Sequence, residues 1–349
     1  MKKRSMVISL YKITRRTLTV ILITVLGFGA IHFDILQYIT SKMADTVFAA
    51  DSKVNSENIA EFFSLSGKSA IESVLVYNKN KETVTPIAVV QSPEKTESVY
   101  ENVGETVDIS HAKPANAVEA NNIIVSNAPG KNFNVAELLA RPLEFEKTDG
   151  YKVLVIHTHT TESYLPDDRH DDPQKNMIRV GEVFTDVLEK NGIKTLHCKT
   201  VHDKPYSLSY KNQLTSIEKI LKENPTVEAV IDVHRDALYN ANQEKLKPAV
   251  TVNGETAAQV MLVCGTDASG LLHETWQSCF SFAIKVQNNM NNNYPNLARP
   301  INLRTERFNT HMTKNSVIFE IGANGNTLGE ALTGAKYAAQ AVADVLNKK

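Results

Sequence analysis

Apolar and polar positions pattern this chain very unevenly. From Tyr151 onward, short apolar runs alternate with segments of helical period. "KVLVIH" (Lys152 to His157) is a continuous apolar run of strand length, as expected for a strand buried on both faces. "RVGEVFTDVLEKNGI" follows, with Val180, Val183, Phe184, Val187 and Leu188 on one helical face and Asn191-Gly192 as its stop. "KTLHCKT" predicts the next strand and "SLSYKNQLTSIEKILKEN" the next helix. "VEAVIDVHRD" predicts another buried strand with a polar tail. "PAVTVNGETAAQVMLVCGTD" predicts two strands, the first turned by Asn253-Gly254. A helix over "HETWQSCFSFAIKVQNNMNNNY", a strand and loop over "SVIFEIGANGNT" and a closing helix over "LGEALTGAKYAAQAVADVLNKK" complete the series.

Strands alternating with helices predict an α/β fold, with a mostly parallel twisted sheet and helices on both faces. The globular part is expected over 151–349. The region 40–150 reads as a polar, largely irregular, partly disordered spacer. It is rich in Thr, Ser, Glu, Lys and Asn and lacks sustained periodicity. Short helices are expected within it at Asn55 to Leu75 and at "FNVAELLARP", where Asn134 is the cap.

The longest apolar run, Leu18 to Ile31, continues with interruptions at His32 and Asp34 to Ile39. That reaches the ~20 residues a bilayer requires. Lys2, Lys3, Arg4, Lys12, Arg15 and Arg16 precede it and would hold residues 1–17 in the cytoplasm. The expectation is an uncleaved transmembrane anchor over 18–39. A signal peptide is the competing reading, with "VFAAD" as a small-residue cleavage site. Either places the rest of the chain outside the membrane.

Charge adds an exclusion. Lys and Arg number 38 against 39 acidic residues, a formal net charge of -1, so there is no global basic signal for nucleic acid. The 3 cysteines, Cys198, Cys264 and Cys279, show neither disulfide nor zinc-knuckle spacing.

In parallel α/β sheets, ligands gather beyond the carboxyl ends of the strands. Three predicted strands end in loaded tails: His157/His159/Glu162, Asp232/His234/Arg235/Asp236, and Glu320. A catalytic zinc site needs three protein ligands and an open position. One or both of His157 and His159, with Glu162 and His234, can supply them. His157 and His159 are two apart, so an extended chain would point them the same way. Glu320 is placed to act as general base and then proton donor. Asp232 and Asp236 are candidate orienters of imidazoles, or ordinary loop carboxylates. Arg235 is a partner for a carboxylate or developing oxyanion, or a structural ion pair. No HExxH helix, Gly-x-Ser-x-Gly elbow or Walker loop occurs. A metal-independent binding module and a peptidase using Ser163 or a cysteine remain as the other classes.

"HTHTTESYLPD", "IRVGEV", "VIDVHRDA", "YPNLARPI" and "FEIGANGNT", in this order, resemble the stage II sporulation protein P family. Its members are membrane-anchored peptidoglycan hydrolases. The Glu320 to Asn326 motif is similar to the catalytic-glutamate loop of zinc-dependent N-acetylmuramoyl-L-alanine amidases. This implies an amidase-like fold, zinc held by His159 and His234, and Glu320 as catalytic acid/base. Those amidases take a third ligand from a glutamate at the start of the first helix. The matching "DDPQKNMIRVG" has none before Gly181, so Glu162 is the substitute and His157 the fallback. The resemblance also implies cleavage of the amide between muramic acid and L-alanine, with endopeptidase activity on stem-peptide cross-links. It implies septal thinning during engulfment, with stage II sporulation protein D and other engulfment proteins as partners.

Overall fold

The computed structural model describes residues 103–145 and 149–348. The expected basic terminus, the anchor over 18–39 and the helix within Asn55 to Leu75 lie outside the described residues. Among the described residues, no helix is long and apolar enough to cross a membrane.

The order of elements is β1 (Val103–Val107), β2 (Ala117–Ala120), β3 (Ile123–Asn127), α1 (Val135–Ala140), β4 (Val153–Ile156), α2 (Met177–Lys190), β5 (Thr195–His197) and α3 (Ser209–Glu223). Then come β6 (Ala229–Asp236), β7 (Lys245–Val252), β8 (Glu255–Ala258), β9 (Val260–Cys264), α4 (Trp276–Asn293), β10 (Ile301–Leu303), β11 (Asn315–Ala323) and α5 (Leu328–Asn347). The stretch read as two strands holds three. The Asn253-Gly254 turn joins β7 to β8, both turn residues at positive φ, as a two-residue hairpin of this kind requires.

The central sheet has the order β2-β3-β10-β9-β11-β6-β4-β5. Strands β11, β6, β4 and β5 are parallel throughout. β9 runs antiparallel to β11, β10 and β3 run with β9, and β2 closes the far edge antiparallel. The sheet is therefore mixed rather than simply mostly parallel. The parallel half is the one that carries the three loaded strand ends. A buried apolar run such as "VMLVC" (Val260–Cys264) reads the same in either direction, because both faces are covered in any case.

Helices cover both faces. On one, Phe184 and Leu188 of α2, Phe280 and Phe282 of α4 and the small residues of α5 pack on Val155, Ile231 and Phe319. On the other, Ile217 of α3 packs on Leu154, Ile156 and Val230. Each fully buried side chain of this size contributes roughly 1.5–3 kcal/mol. α5 starts on a reciprocal capping box between Thr327 and Glu330.

The spacer expectation changes between residues 103 and 145. This stretch forms β1, β2, β3 and α1 rather than irregular chain. Ile123 and Val125 sit in the main core with Val135 and Leu138 of α1, capped by Asn134 as expected. Strands β2 and β3 are short, and their apolar residues find a core only by pairing with β10, far along the chain. Local periodicity is too brief to announce such strands. The folded unit thus begins well before residue 151. β1 joins β7 and β8 in a separate three-stranded sheet.

Candidate metal centre at the strand ends

The parallel ladders set the geometry. Ile156 is registered with Asp232, and His234 with Glu320. The polar tails of β4, β6 and β11 therefore meet at one edge, on the face that α3 covers.

His159, Glu162 and His234 converge. One ligand atom from each lies within 4.8 Å of the others. Glu162 Oε2 is 3.6 Å from His234 Nδ1, and the two imidazoles meet edge-to-face at 5.3 Å. His159 Nδ1 and Glu162 Oε2 are buried without a hydrogen-bond partner. Orphaned buried polar atoms are rare and costly. Two nitrogens and a carboxylate oxygen are the donor set that zinc accepts, with a fourth position left open. The residues fit the metal.

His157 is not part of this group. β4 ends at Ile156 and the chain turns through Thr158–Thr160, so the two-residue alternation of an extended strand no longer applies. The His157 Nδ1–H donates to Val233 O at 2.9 Å, and its Nε2 is 2.8 Å from His197 Nε2. It lies under α2, where a Cβ on Gly181 would come within 2.6 Å of its ring. Burial holds its pKa down to about 4. The expectation that His157 and His159 point the same way is thereby corrected.

Asp232 ties the two histidine-bearing strand ends together. Thr158 donates to it from N–H at 2.9 Å and from Oγ1 at 2.6 Å, and His234 Nε2 lies 2.9 Å from Oδ1. This is the carboxylate–imidazole pairing that orients metal-bound histidines. Burial opposes a charge on His234, but Asp232 and then Glu162 outweigh it and raise the pKa to about 10. Burial and the neighbouring His234 hold His159 down to about 3. Burial raises Glu162 despite His234 and Arg235.

Glu162 belongs to the loop after β4, yet its carbonyl accepts from the N–H of Met177 at 3.1 Å, so it stands beside the start of α2. Arg235 anchors that loop. Its Nε donates to Ser163 O at 2.9 Å and its Nη2 to Asp168 O at 2.8 Å, with Nη1 3.3 Å from Asp236 O. All three guanidinium nitrogens face main-chain carbonyls, and Nη2 is also 3.8 Å from Asp168 Oδ1. Ser163 Oγ donates to Lys175 O and is likewise occupied.

Glu320 is half-buried, with its Oε2 enclosed and lacking a partner. Burial pushes its pKa up to about 8; His234 and Arg299 pull against this, while Asp236 and Glu162 add to it. Asp236 accepts from Arg299 Nη2 at 2.7 Å.

Other residues around the cluster were not singled out from sequence. Tyr206 stacks on His159 with ring centroids 4.5 Å apart, Tyr210 meets it edge-on at 5.8 Å, and the Arg169 guanidinium lies 4.6 Å from the Tyr206 ring. Asp203 accepts from Thr161 N–H at 3.1 Å, Thr161 Oγ1 at 2.6 Å and Arg169 Nη1 at 2.7 Å. The strand-end argument reaches these too, because "HDKPY" (His202 to Tyr206) follows β5 as the tail of a fourth parallel strand.

Fold and site together define a mixed α/β protein with a three-residue candidate metal centre at a sheet edge. The chain belongs to the stage II sporulation protein P family, whose sequence model matches residues 51–343. It is 27% identical over 224 residues to stage II sporulation protein P of Bacillus subtilis (strain 168), covering 58% of this chain and 52% of that protein. The chain thus spans about half the length of that curated relative. Among solved structures, it is similar to N-acetylmuramoyl-L-alanine amidase AmiC2 of Nostoc punctiforme, with a TM-score of 0.38 and 10% identity over 58% of this chain and 100% of that one. An N-acetylmuramoyl-L-alanine amidase from Clostridium difficile 630 has a TM-score of 0.35 and 14% identity over 58% and 100%.

Proposed function

We propose that this protein is a zinc-dependent peptidoglycan hydrolase that cleaves the amide between N-acetylmuramic acid and the L-alanine of the stem peptide. Activity on stem-peptide cross-links belongs to the same reading. The observation that carries it is the convergence of His159, Glu162 and His234 beside the unpartnered carboxyl of Glu320. Membership of a sporulation family supports a role in thinning septal peptidoglycan during engulfment. In this reading residues 18–39 anchor the chain, the folded unit works outside the membrane, and stage II sporulation protein D acts on the glycan left behind.

His159, Glu162 and His234 would hold the ion. When bound, zinc supplies Lewis acidity that polarises an amide carbonyl and acidifies water. Glu320 takes the proton from the attacking water and passes it to the departing amine nitrogen of L-alanine as the carbon–nitrogen bond breaks. Asp232 keeps the His234 ring and the His159 turn in place. Arg235 holds the Glu162 loop through its carbonyls.

The test is digestion of purified sacculi with the full chain, with and without chelator, followed by mass analysis. Free stem peptides and peptide-free glycan, lost on chelation and restored by zinc, are expected. Retention of sacculi without product release would instead identify a binding module.

A further inference from the structure

A second recess opens on the same sheet edge. Ile321, next to Glu320, is registered with Val260 of β9, and Val260 bridges Ala298. Ala298 lines a cavity of about 180 Å³. Strands are spaced ~4.8 Å apart, so this wall stands roughly 10 Å from the strand of Glu320. One water needs roughly 10–15 Å³ of such space, so the recess has room for several.

Four carboxamides line it: Asn122, Gln287, Asn291 and Asn296. Gln287 is 2% exposed. Its Nε2 donates to Arg299 O at 2.9 Å, while its Oε1 is buried without any partner. Asn122 and Asn296 hold positive φ angles of 60° and 64°. Asparagine tolerates that region, and at Asn122 the two-residue turn between β2 and β3 requires it. Both backbones are pinned: Asn122 O accepts from Asn291 Nδ2, and Asn296 O from Gln259 Nε2.

Charge is sparse here. Glu119 at the margin is paired with Lys113, and no lysine or arginine lines the recess. Carboxamides offer both donors and acceptors, which suits hydroxyls and acetamido groups. The free carboxylates of a stem peptide would find no lysine or arginine on the lining, which adds Ser110 and His111 to the carboxamides. We infer that this recess is a subsite for one N-acetylated sugar of the glycan strand, seated while the scissile amide lies at Glu320. The assignment rests on the amidase reading for its substrate.

The experiment is a calorimetric titration of the full chain with N,N′-diacetylchitobiose and, separately, with free stem tetrapeptide. The disaccharide should bind, and Asn296→Gly combined with Asn291→Ala should weaken it at least tenfold with an unchanged melting curve. Glycine keeps the positive φ at position 296. Gln287→Leu gives an independent second variant and should weaken the disaccharide likewise. Failure of the disaccharide to bind, binding that these substitutions leave untouched, or a loss confined to the tetrapeptide would each overturn the subsite. Stem-peptide release from sacculi by the wild-type chain, measured alongside, tests the amidase reading on its own.

Discussion

Glu320 stands directly opposite His234 in the parallel ladder between β11 and β6. One strand therefore presents a candidate ligand and its neighbour the candidate proton carrier, in a fixed register. A shift of one residue would send either side chain to the opposite face of the sheet.

Glu320→Gln should reduce stem-peptide release by roughly 10²–10⁴-fold, the usual contribution of a general acid/base. Bound zinc, measured by elemental analysis, should stay near the wild-type level. Wild-type hydrolysis by this variant would remove Glu320 from the mechanism.

The two histidines of the first motif should separate cleanly. His159→Ala and His234→Ala should lose zinc. His157→Ala should keep the metal but lower unfolding free energy by about 1–3 kcal/mol, because Val233 O and His197 lose a buried partner. Equal zinc loss in the His157 and His159 variants would contradict the arrangement.

Asp232 holds both the Thr158 turn and the His234 ring. Asp232→Asn should weaken zinc affinity by about 10–100-fold, as loss of such orienting carboxylates does elsewhere. Competition with a chelator of known affinity reads the effect.

Gly181 is required by packing rather than by backbone conformation. A Cβ there would come within 2.6 Å of both His157 and His197. Gly181→Ala should destabilise by about 1–3 kcal/mol, the usual penalty of overpacking, visible in denaturant unfolding.

Asp203 contributes a pH dependence. Burial opposes its charge, but the Thr161 hydroxyl and N–H and the Arg169 guanidinium outweigh it and hold the pKa below the ordinary aspartate value. A depressed folded-state pKa adds stability above the unfolded value of ~3.9 and loses it as pH falls through the folded value. The melting temperature of the wild type should exceed that of Asp203→Asn at neutral pH. The gap should close on acidification below the normal aspartate range. A gap independent of pH would show that shape, not charge, is what Asp203 supplies.

Much of the architecture was legible in the order of residues. Apolar runs at Val153–Ile156, Ala229–Asp236 and Asn315–Ala323 marked the strands, and their polar tails marked one chemical edge. Alternating helices implied parallel neighbours, and the helical stripe of α2 and the Asn134 cap were plain from spacing. Local pattern suffices there because burial and backbone hydrogen bonding act over a few residues. What only the tertiary structure decided depends on partners distant in sequence. The direction of β9, the recruitment of residues 103–145 into the main core and the fourth tail at Asp203 and Tyr206 are of this kind. So is the choice between two histidines two positions apart: a strand that stops at Ile156 turns His157 under α2 and His159 towards His234, and no periodicity records where a strand will stop.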